Sequence, residues 1–212
     1  MTAPLASRAG NVSYQGGLAT LTFERHIRHT IEEVWEAITG SDHLERWYMS
    51  KAIIEGGKDG RVELWSGSAQ VHVTGRILTW DPPRVFEHER NVEPRKGIPT
   101  GERSIIRWEL TPEGGGTRLR LTHTRLAPRM AVQIAPATHA LLDRLENELD
   151  HSPLAVFPAR IAEVRSLYHR PAGDAQPREP QGGIEPPTCA LPRTHSSLWK
   201  IAVVRSPPRT HK

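Results

Sequence analysis

The first regular pattern along the chain is an alternation of apolar and polar residues between Leu18 and His29. A period of two residues predicts a strand with one buried face. The residues that share the apolar face are Leu21, Phe23, Arg25 and Ile27. The strand is therefore expected to place one arginine among apolar side chains.

Two short helices are predicted immediately after this strand. Thr30 and Glu33 have the spacing of a capping box, in which threonine caps the helix and glutamate returns a hydrogen bond. The apolar stripe of the first helix consists of Ile31, Val34, Trp35 and Ile38. Gly40 is expected to end that helix. A second helix is expected to begin near Asp42, and its apolar side consists of Leu44, Trp47 and Tyr48.

A run of strands separated by turn residues follows the helices. The predicted strands cover residues 51–55, 61–66, 70–80, 84–92, 104–110 and 117–126. Residues 94–101 are expected to form a loop. The glycines of Thr111–Gly116, between the last two strands, are typical of a hairpin turn.

The period changes once more after Pro128, and Pro136 suits the first turn of a helix. Its apolar stripe consists of Thr138, Leu142, Leu145 and Leu149. We therefore predict an α+β fold, in which a curved antiparallel sheet of about six or seven strands wraps around a long C-terminal helix. The two short helices come after the first strand. A strongly curved sheet around one helix leaves space between the two.

Composition divides the chain into three parts. Residues 1–17 are expected to be a flexible N-terminus, residues 18–168 one folded domain, and residues 169–212 a disordered, proline-rich basic tail. The last part holds eight of the 18 prolines, with seven basic and three acidic residues. It accounts for the whole net charge of +4, so the preceding residues are electrically balanced. A balanced body gives no reason to expect nucleic acid as a partner.

Cysteine usage and hydropathy exclude further classes of protein. The single cysteine, Cys189, rules out an intrachain disulfide framework and a four-cysteine zinc site. The aliphatic run at residues 201–204 is far too short to cross a bilayer. Residues 1–10 lack the apolar segment of a secretory signal. We expect a cytoplasmic protein with no membrane partner, no metal and no cofactor.

Six short segments together resemble a known family. They are Val34–Thr39, Leu44–Tyr48, Gly75–Glu87, Arg107–Leu110, Gly116–His123 and Leu142–Leu145. In this order they resemble the START-like, or SRPBCC, helix-grip superfamily, and within it the bacterial branch named after heat-shock-protein ATPase activator homologues. The resemblance implies a helix-grip fold. It also implies a cavity for small hydrophobic or amphipathic molecules, or a surface that docks a chaperone. Such proteins often carry Gly-Trp where this chain has Ala137-Thr138, which affects the expected ligand size more than the fold.

The predicted cavity lies between the sheet and the long helix. The residues expected to contact a ligand there are Trp47, Ile106, Trp108, Leu121, His123 and Leu142. If the apolar faces of the last two strands are turned to the helix, His123 faces it too. A histidine in a cavity could donate a hydrogen bond or shuttle a proton. The alternative is a histidine that is satisfied by a neighbouring side chain or by water.

Two acidic residues are weaker candidates for chemistry. Glu87 and Glu89 are two positions apart on one strand, so they share a face. On the inner face they would need a partner, and Arg25 is one candidate. In the other register Phe86 and His88 point inward and the glutamates are solvated. We favour the second register, because glutamate is rarely buried without a partner.

Three functions are consistent with these observations. We place a small-molecule binding module first. An enzyme of the cyclase or hydrolase-like kind, with His123 and either Glu87 or Glu89 as acid and base, comes second. A chaperone ATPase co-regulator comes third. A metal centre at His26 and His29 is excluded on geometry, because residues three apart on a strand face opposite ways.

Overall fold

The computed structural model describes residues 8–67, 70–95, 98 and 100–168, and these form one antiparallel sheet of eight strands with helices. The strands are β1 (Asn11–Gln15), β2 (Leu18–Ile27), β3 (Lys51–Ile54), β4 (Arg61–Ser66), β5 (Val71–Asp81), β6 (Val85–Val92), β7 (Glu102–Glu113) and β8 (Gly116–Leu126). Their order across the sheet is β1-β2-β8-β7-β6-β5-β4-β3. Strands that pair in the sheet are also consecutive along the chain, with the exception of β2 and β8.

Four helices accompany the sheet. They are α1 (Ile31–Thr39), α2 (Ser41–Trp47), α3 (Pro128–Leu149) and α4 (Phe157–Val164), and a 3-10 turn at Arg165–Tyr168 follows the last of them. The two short helices α1 and α2 connect β2 to β3, and the long helix α3 follows the last strand. This arrangement confirms the predicted α+β helix-grip fold, with eight strands in place of six or seven.

The local sequence signals around the first connection act as expected. Alternate residues of β2 are buried, from Leu21 to Ile27, and Arg25 is buried with them. The capping box of α1 is present, because the backbone N–H of Thr30 donates to Glu33 Oε2 at 2.8 Å and the N–H of Glu33 donates to Thr30 Oγ1 at 3.3 Å. Gly40 ends α1.

The long helix begins earlier than the sequence predicted. It starts at Pro128, so Pro136 lies inside the helix and not in its first turn. Pro128 suits the first helical position, because the N–H that proline lacks would have no partner there. Pro136 leaves one gap in the hydrogen-bond ladder of α3. Ala131 and Ala135 are completely buried on the side of the helix next to this gap.

The hairpin between β7 and β8 is tighter than predicted. The two strands continue to Glu113 and Gly116, so the turn consists of Gly114 and Gly115 alone. Both turn residues have left-handed backbone conformations, with φ of 55° and 78°. Two-residue turns of this kind match the twist of the strands they join, and glycine adopts them at no steric cost.

The expectation of a flexible N-terminus is wrong for part of residues 1–17. Residues 11–15 form β1, which pairs with β2 from Asn11 opposite Thr22 to Gln15 opposite Leu18. Ahead of the strand, Arg8 forms an ion pair with Asp143 of α3 at 2.9 Å. Most of β1 is exposed, so its sequence shows no alternation of apolar and polar residues. Residues 1–7 and the predicted tail at 169–212 lie outside the described residues.

A buried hydrogen-bond chain joins the two ends of the domain. The Tyr168 hydroxyl accepts a hydrogen bond from the Gly10 N–H at 3.0 Å and lies 2.7 Å from His139 Nδ1. Burial lowers the pKa of His139 to about 4, so the ring is neutral and Nδ1 can accept the hydroxyl proton. His139 is fully buried in α3. One phenol therefore connects the residue before β1, the long helix and the last turn.

Replacement of Tyr168 by phenylalanine tests this connection. The change removes an acceptor from the Gly10 N–H, which is half-buried and within reach of water, and a donor from fully buried His139. A buried group left without a partner costs about 1–3 kcal/mol. We expect the free energy of unfolding in urea to fall by about 1–3 kcal/mol, with an unchanged denaturant slope. A Tyr168→Phe protein as stable as the original would show that the hydroxyl does not hold the ends together.

Candidate functional site

The sheet and α3 enclose a small cavity with a volume of about 30 Å³. Its walls come from the end of α2, the middle of β7 and β8, and the middle of α3. The lining residues are Trp47, Tyr48, Ile106, Trp108, Leu121, His123, Thr138, Leu141 and Leu142. A space of this size holds roughly one water molecule.

The six residues that the sequence assigned to a ligand cavity all line this space. The β7–β8 register explains four of them, because Ile106 lies opposite His123 and Trp108 lies opposite Leu121. Trp47 is fixed by a hydrogen bond from its indole N–H to the Ala37 carbonyl oxygen at 2.9 Å. Sequence reasoning had not assigned Tyr48, Thr138 and Leu141 to the cavity, although Thr138 belongs to the predicted apolar stripe of α3.

The acidic candidates Glu87 and Glu89 lie on the other face of the sheet. Phe86 and His88 are buried, as in the favoured register. Glu87 accepts a hydrogen bond from Thr79 Oγ1 at 2.8 Å. Each glutamate also forms an ion pair with an arginine on the outer face. Glu87 lies 3.4 Å from Arg107, and Glu89 lies 3.5 Å from Arg76. The hypothesis that one of them acts with His123 is therefore wrong.

Arg25 is not their partner either. Its side chain is almost completely buried, and its Nε lies 3.6 Å from Glu146 Oε1 of α3. The strand pattern placed Arg25 on the inner face correctly. It could not show which carboxylate on a distant helix would compensate the charge.

The carboxylate near His123 is Glu102. Arg90 Nη1 donates to Glu102 Oε1 at 2.5 Å, and the Ser104 hydroxyl lies 2.5 Å from the same oxygen. His123 Nε2 lies 2.8 Å from Ser104 Oγ and 3.5 Å from Glu102 Oε1. The four side chains form one polar cluster on the inner face of β6, β7 and β8, and we call it the His123 cluster.

The charges in the His123 cluster are set by burial and by pairing. Burial alone would raise the pKa of Glu102, but hydrogen bonds from His123, Arg90 and Ser104, with the charge of Arg90, lower it to about 2. Burial lowers the pKa of His123, and Glu102 only partly opposes this effect. Burial also raises the pKa of Tyr48, which lies close to Arg90. At neutral pH the cluster therefore holds an ion pair and a neutral imidazole, and the phenol of Tyr48 beside it is neutral.

Sequence reasoning missed Glu102, Ser104 and Arg90 although the signal was present. Residues 94–101 were assigned to a loop, and β7 was expected to begin at Ser104 rather than Glu102. Extension of the β7 alternation by two residues places Glu102 on the inner face with Ser104 and Ile106. Arg90 falls on the inner face of β6 in the same way, two positions after His88.

One buried atom of the His123 cluster has no hydrogen-bond partner within the described part of the chain. It is Glu102 Oε2, the second oxygen of the carboxylate. Buried carboxylate oxygens normally accept hydrogen bonds, so this position is open to a donor. Among the described residues no group of three or more histidine, cysteine, aspartate and glutamate side chains is arranged to hold a metal ion.

A second, larger hollow is an open groove between α3 and α4. Its walls carry charges of both signs, including Arg8, Asp143, Glu146 and Arg160. Asp143 is paired with Arg8 at 2.9 Å and with Arg160 at 2.7 Å. The charges of this groove compensate one another, so it has no strong preference for a charged ligand. In the described ranges no helix is long and apolar enough to cross a membrane.

The buried histidines and Glu102 make stability depend on pH. The pKa of His88 is lowered by burial to about 4, so below its unfolded value of about 6.5 the unfolded chain binds more protons. Glu102 contributes stability that is present above its unfolded pKa of about 4.3 and is lost as the pH falls toward 2. Both effects have the same sign, and stability falls as the solution is acidified.

Urea unfolding between about pH 7 and pH 3.5 tests these assignments. We expect the free energy of unfolding to fall from about pH 6.5 downward, and to fall further below about pH 4.5. In Glu102→Gln the second fall should be smaller, because glutamine does not titrate while Asp143, whose pKa is also lowered by its arginine partners, still does. The exposed Glu36→Gln on α1 is the matched control and should keep the original profile. Identical profiles for the original protein and Glu102→Gln would contradict a depressed Glu102 pKa.

The chain can now be compared with known proteins. The family described as Activator of Hsp90 ATPase homolog 1-like protein matches residues 28–150. That range contains α1, α2, the six strands β3 to β8 and the whole of α3, so it includes every residue of the His123 cluster and of the cavity lining. No match is found among curated proteins.

Several solved structures share the fold. CalU16 from Micromonospora echinospora is 22% identical, with a TM-score of 0.57 over 77% of this chain and 98% of that chain. A Mesorhizobium loti protein is 25% identical, with a TM-score of 0.55 over 64% of this chain and 99% of that one. The Aha1 dimer of Colwellia psychrerythraea is 15% identical, with a TM-score of 0.52 over 61% and 95%. Since the family match spans more than half of the sequence, the protein belongs to the Activator of Hsp90 ATPase homolog 1-like family of START-like domains.

Proposed function

We propose that the protein binds a small hydrophobic or amphipathic molecule between the sheet and α3. The observation that carries this proposal is the composition of the cavity wall. Three aromatic side chains and several aliphatic ones surround a space that has the His123 cluster on one side. Ligand sites in proteins commonly combine apolar walls with a few polar groups that orient the ligand.

The size of the cavity sets a condition on this function. A space of about 30 Å³ does not accommodate an organic molecule, so a ligand must displace part of the wall. The wall contributed by α3 lies just after Pro136, where the helix lacks one backbone hydrogen bond. Half-buried Thr138 and Leu141 lie on this part of the helix. We infer that the ligand enters by a shift of α3 at this point.

The expected source of affinity is the burial of apolar surface. Removal of apolar area from water contributes about 25 cal/mol per Å². Aromatic pairs add about 0.5–1.5 kcal/mol beyond burial, and Trp47 and Trp108 are placed to supply them. The polar groups of the site then need only select the orientation of the ligand.

A second candidate function is acid–base catalysis in the same cavity. It is supported by the approach of His123 Nε2 to Ser104 and Glu102, at 2.8 Å and 3.5 Å. A neutral imidazole oriented by a carboxylate has the features of a general base. A cyclase- or hydrolase-like reaction would use Glu102 in the role first assigned to Glu87 or Glu89.

A chaperone co-regulator is the third candidate, and the family description supports it. Docking surfaces on proteins are usually contiguous apolar patches. The large hydrophobic residues that are exposed in the described part of the chain are Tyr14, Leu18, Val132 and Val156. They are distributed over the β1–β2 hairpin, α3 and the segment before α4, whereas a docking surface usually consists of one contiguous patch. They therefore support a chaperone partner less than the cavity supports ligand binding.

Closure of the cavity with a larger side chain tests the binding function. Thr138→Trp and Leu141→Trp place an indole at the α3 wall, and both positions are half-buried. Native mass spectrometry of proteins purified in parallel should show a bound small molecule on the original chain and none on these variants. The exposed Thr111→Trp on β7 is the matched control and should keep the bound mass.

Thermal melting of each variant establishes that it is folded before the masses are compared. If the original chain and folded Thr138→Trp carry the same bound molecule, the cavity is not the binding site. If the original chain carries nothing and takes up none of a series of small amphipathic aromatic compounds, the binding function itself is contradicted.

A comparison of the small molecules bound to the original chain and to His123→Gln distinguishes a binding module from an enzyme. A binding module should carry the same mass with and without His123, because the imidazole only orients the ligand. An enzyme should accumulate its unconverted substrate in His123→Gln, so the bound masses would differ by the group gained or lost in the reaction. We expect equal masses, and a reproducible difference would favour the second candidate.

A further inference from the structure

We infer that His123 Nδ1 accepts a hydrogen bond from a neutral hydroxyl or N–H group of the bound molecule, so that the ligand is an apolar body with one hydrogen-bond donor, as in a phenol. This inference rests on the proposed binding function and specifies the ligand class of the same cavity. It follows from the positions of two protons in the His123 cluster, the hydroxyl proton of Ser104 and the ring proton of His123.

The first step assigns the proton of Ser104. Its hydroxyl lies 2.5 Å from Glu102 Oε1, and a carboxylate can only accept hydrogen bonds. The single hydroxyl proton therefore points to Glu102. The Arg90 carbonyl oxygen, at 3.3 Å, is a more distant acceptor for the same proton. In either case Ser104 Oγ is left as an acceptor toward His123 Nε2, at 2.8 Å.

The second step assigns the tautomer of His123. Nε2 lies next to two oxygens that accept hydrogen bonds, Ser104 Oγ and Glu102 Oε1. Nε2 must therefore be the protonated nitrogen of the ring. The ring is neutral, because burial lowers its pKa. A neutral imidazole has one N–H and one lone pair. The lone pair of His123 is therefore on Nδ1, the nitrogen that is turned away from Ser104.

The third step identifies what can reach Nδ1. Among the described residues none donates a hydrogen bond to this nitrogen. The ring is only 2% exposed to solvent and forms part of the cavity wall. A molecule in the cavity can therefore supply the donor.

The fourth step restricts the charge of that donor. Glu102 and Arg90 already neutralise each other. The cluster offers two acceptors: His123 Nδ1, by its tautomer, and Glu102 Oε2, which has no partner among the described residues. An anionic group would be repelled by the lone pairs of both acceptors. A cationic group would lose its hydration in an apolar space without a free counter-charge, which is costly. A neutral hydroxyl or N–H fits both conditions.

A matched pair of ligands tests this selectivity. 2-Naphthol and 2-methoxynaphthalene have the same aromatic body, but only the first can donate a hydrogen bond. In calorimetric titrations of the full chain we expect 2-naphthol to bind about tenfold more tightly, as one hydrogen bond contributes about 1–1.5 kcal/mol. His123→Phe should bind both compounds with equal affinity. The exposed His26→Phe on β2 is the control and should keep the preference.

The outcomes separate this inference from the binding function. Equal affinity of the original chain for the two compounds would overturn the inference and leave the function in place. Binding of neither compound would overturn both. Loss of the preference in His26→Phe as well as in His123→Phe would also overturn the assignment to His123.

The tautomer has a test that needs no ligand. Nitrogen-15 NMR spectra of the original chain distinguish a protonated from an unprotonated imidazole nitrogen. We expect His123 to show N–H at Nε2 and a lone pair at Nδ1 at neutral pH. The opposite tautomer, or a doubly protonated ring, would overturn the inference even if His123→Phe fails to fold.

Discussion

The ion pair between Arg90 and Glu102 is the interaction on which the candidate site depends. Both side chains lie on the inner face of the sheet, where Glu102 is buried and the Arg90 side chain is 14% exposed. The loss of hydration there costs several kcal/mol for a buried ion, as an order of magnitude. The pair persists because Ser104 and His123 complete the coordination of one carboxylate oxygen. Loss of either charge would leave the other uncompensated. The position of Ser104 and the proton on His123 both follow from this pair.

The alternation of residues on the strands explains why this pair lies beside the cavity. Val92 and Arg90 on β6 are opposite Glu102 and Ser104 on β7, and His123 on β8 is opposite Ile106. One face of three adjacent strands thus changes from polar to apolar along its length. The cavity lies at this change, with His123 at the boundary. A ligand with an apolar body and one polar group matches the same change in character.

The strength of the local signals decided what could be predicted from the sequence. Strand β2 and the hairpin at Gly114 and Gly115 have signals contained in a few residues, so they were predictable. Strand β1 was missed because most of its residues are exposed and its stability comes from pairing with β2. The start of α3 was misplaced because Pro136 resembles a first-turn proline.

The candidate site was also predictable only where its signals are local in the sequence. The apolar cavity residues follow from the period of two along β7 and β8. Glu102 was missed because it follows a segment that has the composition of a loop, so the β7 alternation was not extended to positions before Ser104. The partner of a buried charge depends on the register of strands far apart in sequence, which local patterns do not specify.

A crystal structure of the protein with 2-naphthol bound would test the central claim most directly. The account predicts the naphthalene ring between Trp47 and Trp108, the hydroxyl within hydrogen-bond distance of His123 Nδ1, and α3 displaced near Thr138. A ligand in the groove between α3 and α4, with the interior unchanged, would contradict it.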